Sequence, residues 1–83
     1  MRKIKFRGIN KRGEYVYGDL THIKRRIYVS GYKVDPSGVA QFIGEDSNGT
    51  EVYEGDLLID KAGNIFVAQL FGEALVREAT LKI

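Results

Sequence analysis

The sequence predicts an all-β fold: a small, strongly bent antiparallel sheet forming an SH3-like or partly open β-barrel, or two fused half-barrels. Three observations carry this. Apolar and polar residues alternate with period two in short runs. Those runs are rich in β-branched and aromatic residues. Turn sequences with a well-placed glycine recur between them. With 83 residues one domain spanning 1–83 is expected. A chain of this size buries only about 60–65% of its unfolded surface, so its stability depends on tight packing or on association.

Taken in order, "KIKFR" alternates, with Ile4 and Phe6 on one face and Lys3, Lys5 and Arg7 on the other. "NKRG" is a turn in which Gly13 is free to adopt positive φ. "EYVYG" is the return strand, with Tyr15 and Tyr17 on one face and Val16 on the other, so residues 2–18 read as a hairpin. "THIKRR" is polar and reads as a connection, and "RIYVSGY" as a third strand. "VDPSG" contains the only proline, which cannot donate to a ladder, and is a loop. "VAQFIG" is a fourth strand. Asn48-Gly49 predicts a type I′ hairpin turn into "EVY". "DLLID", "KAGN" and "IFVAQLF" form a further hairpin, and the stretch from "VYEGDLLI" to the C-terminus resembles the three-strand meander of an SH3-like barrel. In "EALVREATLKI" the composition favours helix. Leu75, Arg77, Ala79 and Leu81 also allow alternation, and the preceding hairpin needs a strand to close on, which favours strand.

The charge is divided along the chain. Residues 1–33 hold ten basic and two acidic side chains, a net +8; residues 34–83 hold three basic and nine acidic ones, a net −6. Such asymmetry signals a partner or self-pairing. Lys3, Lys5, Arg7, Lys24, Arg25 and Arg26 are the candidate contact residues for a protein partner or for nucleic acid. Tyrosines among these bases could stack nucleobases, although cross-strand packing is the commoner use of such residues.

Several chemistries are disfavoured. There is no cysteine, so neither a disulfide framework nor thiol chemistry is expected. His22 is the single histidine and lies on no recognisable triad or zinc pattern. In "EDSNGTEVYEGD", Asp46, Asn48 and Glu51 lack calcium-loop spacing: Gly49 comes too early, and Gly55 stands where the bidentate glutamate belongs. Glu54 and Asp56 could form an acid–base pair, but Gly55 between them marks a tight corner, where an aspartate pins backbone N–H groups. Gly49, Glu54, Gly55 and Asp56 are therefore read as structural. No metal, cofactor or small-molecule substrate is expected, and no enzymatic activity. The basic start lacks the apolar run of a signal peptide, and no apolar stretch approaches the roughly 20 residues of a membrane span. The cytoplasm is the expected compartment.

"IKFRG" at 4–8, "YVYGDL" at 15–20, "VDPSGVAQFIG" at 34–44 and "NGTEVYEGDLL" at 48–58 occur in an order that resembles the YopX family of small phage and prophage proteins. The likeness covers about two-thirds of the chain and is most specific from Gln41 to Leu58. Two departures are Glu45, in a shorter turn after the glycine of the glutamine-bearing strand, and the early end of the chain after the last hairpin. The resemblance implies an all-β fold, a bacterial or phage source and an accessory role; it implies no catalytic residues. The expected function is a protein-interaction or self-associating module, with nucleic-acid binding through the basic half as the alternative.

Overall fold

The computed structural model describes residues 4–82. The chain is nearly all β, with curled antiparallel sheets, as the sequence predicts. It forms two compact units, residues 4–41 and residues 42–82, whose boundary falls inside one strand.

In the first unit, β1 (Phe6–Ile9) pairs antiparallel with β2 (Tyr15–Gly18), with Arg7 opposite Tyr17 and Ile9 opposite Tyr15. The tip is held by Asn10, whose Oδ1 accepts the N–H of Arg12 at 2.9 Å and of Glu14 at 3.0 Å. Tyr15 and Tyr17 share the outer face and Val16 turns inward, as expected. A second sheet has the order β3 (Leu20–Ile23), β4 (Arg26–Val29), β5 (Tyr32–Lys33). Here the sequence reading needs two corrections. The polar segment read as a connection supplies strand β3, because its β-branched Thr21 and Ile23 fit a pleated edge even when exposed. The run read as one strand breaks at Ser30-Gly31, which adopt φ of +52° and +83°. Consecutive left-handed residues make the tight two-residue hairpin expected at Asn48-Gly49.

The two sheets of this unit meet where a side chain is missing. A Cβ on Gly8 would lie 2.7 Å from Cγ1 of Val34 and 3.1 Å from Cγ2 of Val29. Glycine at this position lets both valines bury against β1. Asp35 then donates its N–H to the Ile9 carbonyl at 3.0 Å, tying the end of β5 to the hairpin. The proline loop is a single 3₁₀ turn, Pro36–Gly38, capped by the Asp35 side chain.

Strand β6 (Ala40–Glu45) pairs with β1 through Ala40 and Gln41 and enters the second unit at Phe42. There it pairs with β7 (Glu51–Tyr53) across a bulge between Phe42 and Gly44. The connecting turn is not type I′: Gly49 alone has positive φ, +82°. Gly49 N–H bonds to the Asp46 carbonyl at 3.0 Å and Asp46 N–H to the Thr50 carbonyl at 2.9 Å, a three-residue loop closed by a left-handed glycine. The Asp46 carboxylate selects this wider loop by accepting two of its N–H groups.

Strand β8 (Leu57–Ile59) pairs with β9 (Ile65–Val67) as predicted. The C-terminal stretch divides: helix α1 (Glu73–Arg77) is followed by β10 (Thr80–Leu81). Helix propensity wins for five residues around buried Val76, and strand pairing wins after Ala79. Strand β10 joins β8, not β9, so the sheet order is β10-β8-β9 and the expected simple meander is corrected. The core of this unit comprises Ile43, Val52, Leu58, Ala68, Val76 and Ala79, with Phe66 and Leu81 packed against it. No helix among the described residues is long and apolar enough to cross a membrane.

Candidate interaction surfaces

The acidic stretch of residues 45–56 is mostly engaged in holding its own fold. Asp46 is buried. Its Oδ1 accepts the N–H groups of Asn48 (2.8 Å) and Thr50 (2.9 Å), and its Oδ2 accepts the N–H of Leu81 on β10 (2.8 Å). Ser47 reinforces this link, donating its N–H to the Ala79 carbonyl at 2.8 Å, with its Oγ 3.1 Å from Oγ1 of Thr80. Burial alone would push the Asp46 carboxyl up, but the three N–H donors outweigh it and hold the group below the ordinary aspartate range. The Tyr53 hydroxyl donates to Glu51 at 2.9 Å.

The corner at Gly55 has the anatomy expected from sequence. Gly55 takes φ of +92°, and Asp56 Oδ2 accepts the Tyr53 N–H at 2.9 Å. Gly55 N–H and the Asp56 carbonyl both bond to Ala68, which locks the corner against the chain just after β9. Glu54 points into solvent while Asp56 is half-buried, so the two carboxylates occupy different environments. Among the described residues, no group of three His, Cys, Asp or Glu side chains could hold a metal ion.

The charge division follows the two units. Residues 4–41 carry eight basic and three acidic side chains, net +5; residues 42–82 carry three basic and eight acidic ones, net −5. The predicted basic contact residues are distributed differently from expectation. Lys3 lies outside the described residues. Lys5 and Arg7 are half-buried, not a free face. The Lys5 Nζ lies 5.9 Å from the Tyr17 ring centroid and the Arg7 guanidinium carbon 4.7 Å from that of Tyr15. These are cation–π contacts on the β1–β2 hairpin. Lys24, Arg25 and Arg26 sit exposed at the turn of a different hairpin, β3–β4.

What this unit does bring together is a second basic set. Lys11 and Arg12 at the β1–β2 tip, and Lys33 on β5, line one open groove with Tyr15, Tyr32 and Glu14. Tyr15 and Tyr32 are 55% and 58% exposed. The sequence reading assigned these tyrosines mainly to packing and passed over Lys11, Arg12 and Lys33. The alternation that turns Tyr15 outward was legible. The approach of Lys33 was not, because it depends on the Ser30-Gly31 turn and the Asp35–Ile9 bond.

The acidic unit exposes apolar side chains. On the outer face of its sheet, Leu57 lies opposite Val67 and Ile59 opposite Ile65, and all but Ile59 are exposed. Phe71, 91% exposed, and Leu75 on α1 follow β9 in the chain and are exposed as well. No family model, curated protein or solved structure matches this chain.

Proposed function

We propose that this chain is a small, non-enzymatic accessory module of a phage or prophage, related to the YopX family, that acts in the cytoplasm by binding protein and first of all copies of itself. One observation carries the reading: the described residues of the two compact units hold opposite net charge, +5 and −5. The basic unit of one copy is electrostatically complementary to the acidic unit of another, which favours encounter in that orientation and disfavours like-to-like contact. Exposed ion pairs contribute only about 0–1 kcal/mol each, so the apolar face of Leu57, Ile65 and Val67, with Phe71 and Leu75, supplies most of the association energy. Among the described residues β3 and β9 are outer strands of their sheets, the position at which a partner strand can add.

The engagement of Asp46 and Asp56 by backbone N–H groups supports a structural use of the acidic stretch over a catalytic one. Light scattering of the full chain at low and physiological salt tests the proposal. The expected result is a mass above the 9.3 kDa monomer at low salt, partly lost as salt screens the unlike charges. A monomer at both salt concentrations overturns it.

A further inference from the structure

We propose that the groove between the tip of the β1–β2 hairpin and β5 binds single-stranded nucleic acid, with bases stacking on Tyr15 and Tyr32 and phosphates held by Lys11, Arg12 and Lys33. The site goes beyond self-association and uses a different set of residues from the apolar face of the acidic unit.

Four features of the groove support it. The first is the pairing of two exposed aromatic rings with three cations in one concavity. Its volume of about 560 Å³ lies within the roughly 300–1,000 Å³ of small-ligand sites and has room for a base and its sugar-phosphate. Stacking on aromatic rings beside a basic track is the sequence-tolerant way to hold a single strand.

The second feature is preorganisation. Tyr15 does not hang free: its ring centroid lies 4.7 Å from the Arg7 guanidinium carbon and 6.4 Å from the Tyr17 ring. A ring braced in this way loses little freedom when a base stacks on it. The loop bearing Lys11 and Arg12 is similarly fixed by the two N–H bonds to Asn10 Oδ1.

The third is the treatment of the one acid in the lining. Glu14 accepts from the Asn10 Nδ2 at 3.4 Å. The lining retains three cations against this one carboxylate, enough to favour a phosphate backbone.

The fourth is the choice of single strand over duplex. Paired bases are stacked inside their own helix and cannot lie on two surface tyrosines, whereas unpaired bases can be splayed onto them. An acidic peptide would satisfy the three cations but leave both rings without a stacking partner, so the tyrosines distinguish the two occupants.

Fluorescence anisotropy of the full chain with a labelled oligothymidylate of about a dozen nucleotides, a length typical of small single-strand sites, is the test. Binding is expected at low salt and to weaken as salt rises, with a log–log slope near −2 for three phosphate contacts. Tyr15→Ala and Tyr32→Ala should each weaken it about tenfold, by the loss of one stacked base, while Tyr15→Phe, which keeps the ring, stays near wild type. Lys11→Gln, Arg12→Gln and Lys33→Gln should each flatten the salt slope by about 0.7. Lys24→Gln with Arg25→Gln, on the other hairpin, should leave affinity within about twofold. Circular dichroism of each variant confirms that the strands remain. No binding at low salt overturns the proposal. So does a loss shared equally by the Lys24/Arg25 and Lys11/Arg12 variants, or binding that survives removal of both tyrosine rings. Equal competition by a duplex or by polyglutamate overturns it as well.

Discussion

The two units of this chain are built from similar short strands and the same kind of turn, yet they use them differently. Residues 42–82 gather six buried apolar side chains into one cluster and tie β6, β7 and β10 together through a buried carboxylate. Residues 4–41 bury Val29, Val34 and Ala40 and leave a whole strand, β3, exposed. Three of their tyrosines, Tyr15, Tyr17 and Tyr32, and the side chains of Lys11, Arg12 and Lys33 are exposed. One unit is organised around its interior and the other around its surface.

The turns make the contrast concrete. Asn10, Asp46 and Asp60 each close a loop in which the side-chain Oδ1 accepts the N–H groups two and four residues on, and a glycine three residues on takes positive φ. Locally the three turns are one device. Only Asp46 adds a bond to a distant strand, the 2.8 Å contact with Leu81. A local motif becomes a tertiary one through a single extra acceptor.

The largest expected effect follows from that bond. Asp46→Ala removes three charge-assisted acceptor contacts and leaves the Leu81 N–H on β10 without this partner. A loss of about 2–4 kcal/mol is expected, a large share of the roughly 4–12 kcal/mol that a chain of this length commands. Urea unfolding measures it, and a loss no greater than that of Asn10→Ala would erase the contrast between the units. Next come the glycines of the acidic unit. Gly55→Val and Gly49→Val force a β-branched side chain into φ of +92° and +82°, at a cost of about 1–3 kcal/mol each. Melting indistinguishable from wild type in both variants would contradict the turn and corner assignments. Asp60→Ala and Asn10→Ala break only local bonds and should rank below Asp46→Ala in the same unfolding series.

The pH dependence sharpens the same ranking. The Asp46 carboxyl is held below the ordinary range in the folded chain. Its contribution is therefore fully present above the unfolded value near 3.9 and is lost as pH falls through the folded value. Asp35 and Asp60 are also held low, each chiefly by a backbone N–H, from Ser37 and Asn64 respectively. They are exposed or half-buried turn residues, so their share of the acid loss is smaller. Thermal melts between pH 5 and pH 2 should show a steep fall in the wild type and a shallower one in Asp46→Asn, which lacks the titrating group. Equal slopes would remove Asp46 from its central place.

Much of this was legible in sequence because it is local. The β1–β2 hairpin, the outward tyrosines and the Gly55 corner all follow from alternation and from the chemistry of glycine and aspartate. What escaped depends on competition or distance. Strand β3 is polar yet paired, since its ladder with β4 outweighs its lack of an apolar face. The C-terminal segment changes from helix to strand within a few residues, and β10 selects β8 over β9 through the Asp46–Leu81 link. The basic groove joins residues 11–12 to residue 33 through a turn read as continuous strand. The charge division was visible from the start; that it would fall on two compact units was not, because the boundary lies inside β6.

Native-state hydrogen exchange tests the division most directly, since amides report the free energy of the opening that exposes them. The slowest exchange is expected in residues 42–82, at Val52, Tyr53, Leu58 and Leu81, whose strands surround the buried cluster. The amides of β3 and β5 should exchange by openings of much lower free energy, without unfolding of the acidic unit. If β3–β5 proves as protected as β7 and β8, or more so, the assignment of the more stable core to residues 42–82 is wrong.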